Sequence, residues 1–235
     1  MDDDKETIDI LDKLIARYRA SGLKGIPSSL SDFGNPTLNF IFTEVYQTCI
    51  NGQPILSLSG SGIFLEEFTN ELWISSQLRK AQLQVKFDTW DEVMAYLQQK
   101  REEIESQIVF FGRDIKPFIT NILNPTDLRS IELIRKFIRN SFIHSKRTIF
   151  IRTLQKEGVL PKTIPVGRMR IDTSRPVIDD VELPLTHPMI SQIGFPVLAK
   201  QLAPALLIYS YDMFVKYEGN LGPLRDDKIK FPGKD

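Results

Sequence analysis

Apolar residues recur at three- and four-residue intervals through most of the chain, a pattern that predicts helices. Ile8, Leu11, Leu14, Ile15 and Tyr18 share one face of a helix over 5–20, and Gly22 and Gly25 end the pattern. After the loop PSSLSDFGNP, Pro36 can start a second helix carrying Leu38, Ile41, Phe42, Val45, Tyr46 and Cys49, closed by Asn51-Gly52. The stretch SLSGSG at 57–62 reads as a flexible lead-in to a long third helix, one side of which is marked by Phe64, Leu65, Phe68, Leu72, Ile74, Leu78 and Leu83. Asp88 is placed to cap a fourth helix, with Asp91 and Glu92 in the first turn, where the helix dipole favours them. That helix runs through Trp90, Val93, Met94, Tyr96 and Leu97 into QQKREEIESQIVFF, and Gly112 and Pro117 break or kink it before FITNIL. Asn124-Pro125-Thr126-Asp127 is a start signal for a fifth helix, which the pattern carries to about Lys156, where Gly158 stops it.

The texture then changes. Residues 159–188 hold Pro161, Pro165, Pro176, Pro184 and Pro188, and between them GRMRID (167–172) and PVIDDVEL (176–183) can pair as a hairpin through Thr173–Arg175. A closing helix is expected over about 196–218, with Leu198, Leu202, Leu206, Ile208, Tyr209, Met213, Phe214 and Tyr217, followed from Glu218 by a loose Gly/Pro/Lys/Asp-rich tail. The fold class is therefore mainly α, a helical bundle with a short irregular, hairpin-like excursion near 163–183. A single domain over 1–235 is expected, with an N-terminal helical extension to about residue 55 and an excursion over about 158–195.

Composition narrows the classes. With 42% hydrophobic and 26% charged residues the chain can bury a core and is not a disordered segment. Thirty basic residues balance thirty acidic ones, so no whole-protein field draws it to nucleic acid or membrane, and any such attraction must be local. Cys49, the only cysteine, rules out an internal disulfide and a Cys-rich zinc site, which fits a reducing cytoplasm. The longest apolar stretches, such as ALLIY at 205–209, are far shorter than a membrane span, and the acidic start MDDDKE lacks the features of a secretion signal. A cytoplasmic protein without a membrane partner is expected.

The charge is nonetheless uneven. Arg135, Lys136, Arg139, Lys146, Arg147, Arg152 and Lys156 lie between Leu133 and Lys156 with no acidic residue among them. That is a local footprint suited to a phosphate backbone, with Arg135, Lys136, Lys146 and Arg147 as the candidate contacts. On one helix Lys136, Asn140 and His144 share a face, with Arg147 a step further, while Ile134, Phe137, Ile138, Ser141 and Phe142 form a neighbouring core face. Arg139 sits about 140° from His144 on an ideal helix, so the two flank a cleft rather than touch along one stripe.

The run Arg139-Asn140-Ser141-Phe142-Ile143-His144 resembles the arginine, polar residue, three variable residues, histidine pattern of HEPN domains. These are helical bundles, many of them metal-independent endoribonucleases of defence and toxin systems. GIFLEEFTNELW (62–73) is similar to the earlier HEPN helix that often carries a Glu and an Asn close together, here Glu67 and Asn70 in a supporting role. The motif resemblance covers roughly 60–150, with 196–218 as a closing helix. It implies an endoribonuclease with Arg139, His144 and Asn140 as catalytic residues, no cofactor and no metal, and RNA as substrate. It further implies a site formed at a homodimer interface, and an antitoxin or regulatory protein as a possible partner. Some HEPN toxins carry a tyrosine two residues after the histidine, modified by a partner nucleotidyltransferase; Lys146 stands there instead, so that pairing has no support in this chain.

The implied chemistry is physically coherent. Cleavage without metal uses the RNA 2′-hydroxyl as nucleophile, and histidine supplies a base of near-neutral pKa. Arginine's fixed fork suits the non-bridging oxygens of a charged phosphorane. A single histidine cannot easily fill both proton-transfer roles, which a second subunit resolves.

Other candidates are weaker. His187, before Pro188, reads as a turn or cap residue. The SGSG of 59–62 offers backbone amides to an anion only if it begins a helix, and it lacks a following GK. VIDDVE (177–182) has three carboxylates but no nearby lysine for a metal-dependent nuclease, and EEIE (102–105) reads as an exposed face balanced by Lys100 and Arg101. The rival function is a non-catalytic RNA- or DNA-binding protein, or a scaffold subunit, using the basic helix 133–156.

Overall fold

The computed structural model describes residues 3–30, 35–111, 121–138, 163–165, 182–184 and 188–224. Among them are six α-helices: α1 (Asp3–Ser21), α2 (Pro36–Ile50), α3 (Pro54–Gln82), α4 (Trp90–Phe111), α5 (Pro125–Ile138) and α6 (Pro188–Tyr217). Two three-residue strands, β1 (Thr163–Pro165) and β2 (Glu182–Pro184), pair antiparallel, and one 3-10 turn (Glu218–Asn220) follows α6. The protein is a helical bundle, as the periodicity predicts. No helix among the described residues is long and apolar enough to cross a membrane.

The start and stop signals act through identifiable bonds. Asn35 Oδ1 accepts from the Leu38 amide at 2.9 Å, and Pro36 follows it at the first helical position of α2. Gly22, at φ +59°, ends α1 with its amide on the Tyr18 carbonyl at 2.7 Å, a left-handed turn that glycine takes without steric cost. Asn124 Oδ1 accepts from the Thr126 amide at 2.8 Å and starts α5. At α4 the capping side chain is Thr89, one residue later than Asp88. Its hydroxyl accepts from the Glu92 amide at 3.3 Å, while the Glu92 carboxylate reaches back to the Asp88 amide at 3.0 Å, a near relative of the capping box.

Helix α3 is the axis of the bundle, packing against α2, α4, α5 and α6. A helix enclosed on several sides cannot be amphipathic, and α3 buries Leu58, Phe64, Leu65, Phe68, Leu72, Trp73, Ile74 and Leu78 around its whole circumference. It begins at Pro54, so the SLSGSG stretch is helical rather than a flexible lead-in. The small residues serve close approach. A Cβ at Gly60 would lie 2.7 Å from Val45 Cγ2, and one at Gly62 would lie 3.0 Å from Ile138 Cγ2. Ser61 is buried with its hydroxyl on the Ser57 carbonyl at 2.9 Å, and Ser57 donates to the Val45 carbonyl at 3.3 Å, so these hydroxyls do not disrupt the helix.

The α1 residues Leu11 and Ile15, the α2 residues Leu38, Phe42 and Val45, and the α6 residues Leu202, Leu206, Leu207 and Phe214 belong to the same core as α3. Phe42 meets Phe64 edge-on, and Phe64 stacks on Phe68. Helix α6 starts eight residues before the expected 196 and continues through Pro196 and Pro204. Proline removes a ladder bond at each, but the continuous burial of Leu202–Ser210 holds the segment helical.

Ile164 and Pro165 pair with Leu183 and Glu182 at the ends of the expected excursion, and residues 167–172 and 176–181 lie outside the described residues. One further expectation changes. Residues 218–224 are a strap rather than a loose tail. Arg79 on α3 donates to the carbonyls of Gly222 (2.9 Å), Gly219 (3.0 Å) and Leu221 (2.9 Å). The Gly222 amide donates to Ser75 Oγ at 2.8 Å and the Leu224 amide to Gln82 Oε1 at 2.7 Å. At the start of α5, Tyr217 and Lys216 of α6 both hydrogen-bond Asp127, and the Asn124 amide donates to the Tyr217 hydroxyl at 3.0 Å.

Candidate functional site

The last turn of α5 carries Arg135 and Lys136, the first two cations of the basic run. Ile134 and Ile138 are fully buried and Phe137 packs partly against the core, as expected of the inner face, while Lys136 is exposed and Arg135 half-buried. This partition leaves the α5 cations toward the surface because the i, i+4 spacing of isoleucines fixes which side faces α3. Ile138, the last described residue of α5, packs against Gly62. Arg139, Asn140, His144, Lys146 and Arg147 follow in the sequence and lie outside the described residues, as do His187 and the carboxylates Asp179 and Asp180.

Glu67 and Asn70 are brought together. Both are half-buried on α3, three residues apart on neighbouring positions of one face, and Asn70 acts to lower the Glu67 pKa. The pair belongs to a larger polar cluster between α3 and α4. Glu71, one turn beyond Glu67, has only 3% of its side chain exposed and receives both terminal nitrogens of Arg101, one of them at 3.3 Å. Arg101 Nε reaches Glu105 at 2.6 Å, so one guanidinium ties a buried carboxylate of α3 to an exposed one of α4. Of the other EEIE carboxylates, Glu103 pairs with Lys100 at 2.5 Å on the exposed side. Burial, then the adjacent Glu71 charge, raises the Glu67 pKa, while Asn70 and Arg101 pull it back.

Glu67 does not share the face on which α5 ends. It lies five residues after Gly62, about 140° round an ideal helix from the direction of Ile138. The cluster can hold α3 and α4 in register and can keep a proton on Glu67 at higher pH than an exposed glutamate would. The sequence reading missed Glu71 and Arg101. The available signal was a carboxylate four residues after Glu67 that lies among Phe68, Leu72 and Trp73, where an ionised side chain must find a partner.

The SGSG segment is no anion cradle, since residues 59–62 lie well inside α3 with its first turn already behind them. Cys49 is a free, half-buried thiol whose pKa burial raises, the opposite of what a nucleophile needs. Among the described residues no group of three or more His, Cys, Asp or Glu is arranged to hold a metal ion. Comparison with known proteins finds no family model, no curated protein and no solved structure that matches the chain.

Proposed function

We propose that the protein is a metal-independent endoribonuclease of the HEPN type, acting as a homodimer in the cytoplasm, in a defence or toxin–antitoxin setting. The observation that carries this reading is the run Arg139-Asn140-Ser141-Phe142-Ile143-His144 within seven cations and no acidic residue. The helical architecture and the surface position of Arg135 and Lys136 at the end of α5 support it. In this reading His144 removes the 2′-hydroxyl proton of the RNA, and the resulting oxygen attacks the adjacent phosphorus. Arg139 neutralises the non-bridging oxygens as charge builds on them, and Asn140 positions the histidine or the phosphate. The 5′-oxygen leaves with a proton from His144 of the partner subunit, giving a 2′,3′-cyclic phosphate and a free 5′-hydroxyl. Arg135, Lys136, Lys146 and Arg147 hold the flanking phosphates.

A second reading keeps the cations and drops the chemistry, making 133–156 a binding face for RNA or DNA. One experiment separates them: end-labelled RNA of mixed sequence is incubated in excess EDTA with wild type, His144→Ala and Arg139→Ala, and binding is measured on the same samples. The nuclease reading expects cleavage by wild type alone and binding by all three. No cleavage by any protein, with undiminished binding by His144→Ala, overturns it in favour of a binding face.

A further inference from the structure

Helix α4 lies on the surface. Val93, Leu97 and Ile104 are buried, Arg101 stands in line with them, and most of the remaining described positions of α4 are exposed. A stripe this narrow serves one neighbour, and the substantial packing of α4 is against α3, whereas α6 packs against α1, α2 and α3. On α3 the matching positions are Glu67, Glu71, Ile74 and Leu78, spaced i, i+4, i+7 and i+11 on the side that Arg101 contacts. A short turn joins the two helices, so the first half of α4 meets Ile74 and Leu78, and its second half meets the acids.

That second half is held largely by charge. Among the described residues, the groups whose charge reaches Glu67 are Glu71 of its own helix and Arg101 and Glu105 of α4. Three carboxylates therefore share one guanidinium, which is already bonded to Glu71 and Glu105, while Lys100 is paired with Glu103. Ionising Glu67 adds a half-buried negative charge one turn from another carboxylate. Protonating it leaves the Glu71–Arg101 pair undisturbed. We propose that the second half of α4, from Arg101 onward, is a pH-gated arm that rests on α3 while Glu67 is protonated and lifts from it more readily once Glu67 is ionised. The closed arm favours the protonated form, so its advantage is complete below about pH 4 and is lost as pH rises through the raised value that burial and Glu71 give Glu67.

Hydrogen exchange of the full chain, read by mass spectrometry and corrected for intrinsic rates, tests the arm. Protection over 101–107 is compared with that over the buried segment 202–210 of α6, in wild type and Glu67→Gln, at pH 5 and pH 7.5. The expected result is that 101–107 exchanges through an opening that leaves 202–210 protected. Wild-type protection over 101–107 should be at least about threefold lower at pH 7.5 than at pH 5, and Glu67→Gln should remove most of that difference. If Glu67→Gln does not fold, the pH response of the wild type decides alone. Equal protection of the two segments overturns the proposal, because α4 then opens only when the whole chain unfolds. So does protection over 101–107 that is indifferent to pH, or that falls by the same factor in Glu67→Gln.

Discussion

Glu71 is the side chain whose environment asks most of the fold. A carboxylate with 3% of its side chain exposed is stable only because Arg101 donates to both of its oxygens. Arg101→Met removes the partner and leaves the charge, and it is expected to cost about 2–3 kcal/mol in urea unfolding. Adding Glu71→Leu to that variant should return most of the loss, because two apolar side chains need no ion pair. Failure of the second substitution to recover stability would mean that the pair contributes more than mutual compensation. Glu67, beside it, gives the pH dependence. Its folded pKa is raised by burial and then by the Glu71 charge, so the fold disfavours the ionised form. That cost is absent below about pH 4 and grows as pH rises from the unfolded value through the folded one. Glu67→Gln should therefore stabilise the protein at pH 7 relative to wild type and lose that advantage toward pH 4. Urea midpoints that differ equally at both values would contradict the assignment.

Helix contacts set the next level. A Cβ at Gly60 meets a branched valine methyl at 2.7 Å, and Val45 has little rotamer freedom with which to withdraw. Gly60→Ala should thus be destabilising by about 1–2 kcal/mol despite alanine's better helix propensity. Combined with Val45→Ala it should cost less than the two changes added separately, and a calorimetric double-mutant cycle measures that coupling. The same glycines show why part of the fold was legible and part was not. Caps, Pro36, Gly22 and the spacing of apolar residues are local signals, and they placed α1, α2 and the start of α5 closely. SLSGSG carried a local signal for flexibility, while its helical state depends on Val45 and Ile138, which approach from two other helices. Helix α6 likewise begins at Pro188 rather than at 196 and runs through Pro196 and Pro204, prolines that local propensity disfavours and that burial of Leu202–Ser210 outweighs. The strap could not be read from composition because the Arg79 bonds go to backbone carbonyls, which every residue possesses. In the candidate site, Glu67 and Asn70 were legible as neighbours from their spacing, whereas Arg101 comes from the facing helix α4, and periodicity within one helix says nothing about its partner.

Across the whole molecule, charge is neutral in sum and polarised in sequence. Seven of the thirty basic residues fall between Leu133 and Lys156 without an acid among them, so the rest of the chain carries the compensating negative excess. A polyanion gains little from a neutral protein at long range, but it can still be held where cations are concentrated. Such binding releases counterions, and for single-stranded RNA the logarithm of the affinity falls with the logarithm of salt at about −0.7 per phosphate neutralised. If all seven cations engage, the slope approaches about −5, and Arg135→Ala with Lys136→Ala should shrink it by about 1.4. His144→Ala removes none of the seven lysines and arginines and should leave the slope where it was. Fluorescence anisotropy with a labelled RNA across a salt series reads all three proteins. A slope near zero, or one indifferent to losing two cations, would remove RNA from the functional account, because both the nuclease and the binding reading require this run to hold phosphates.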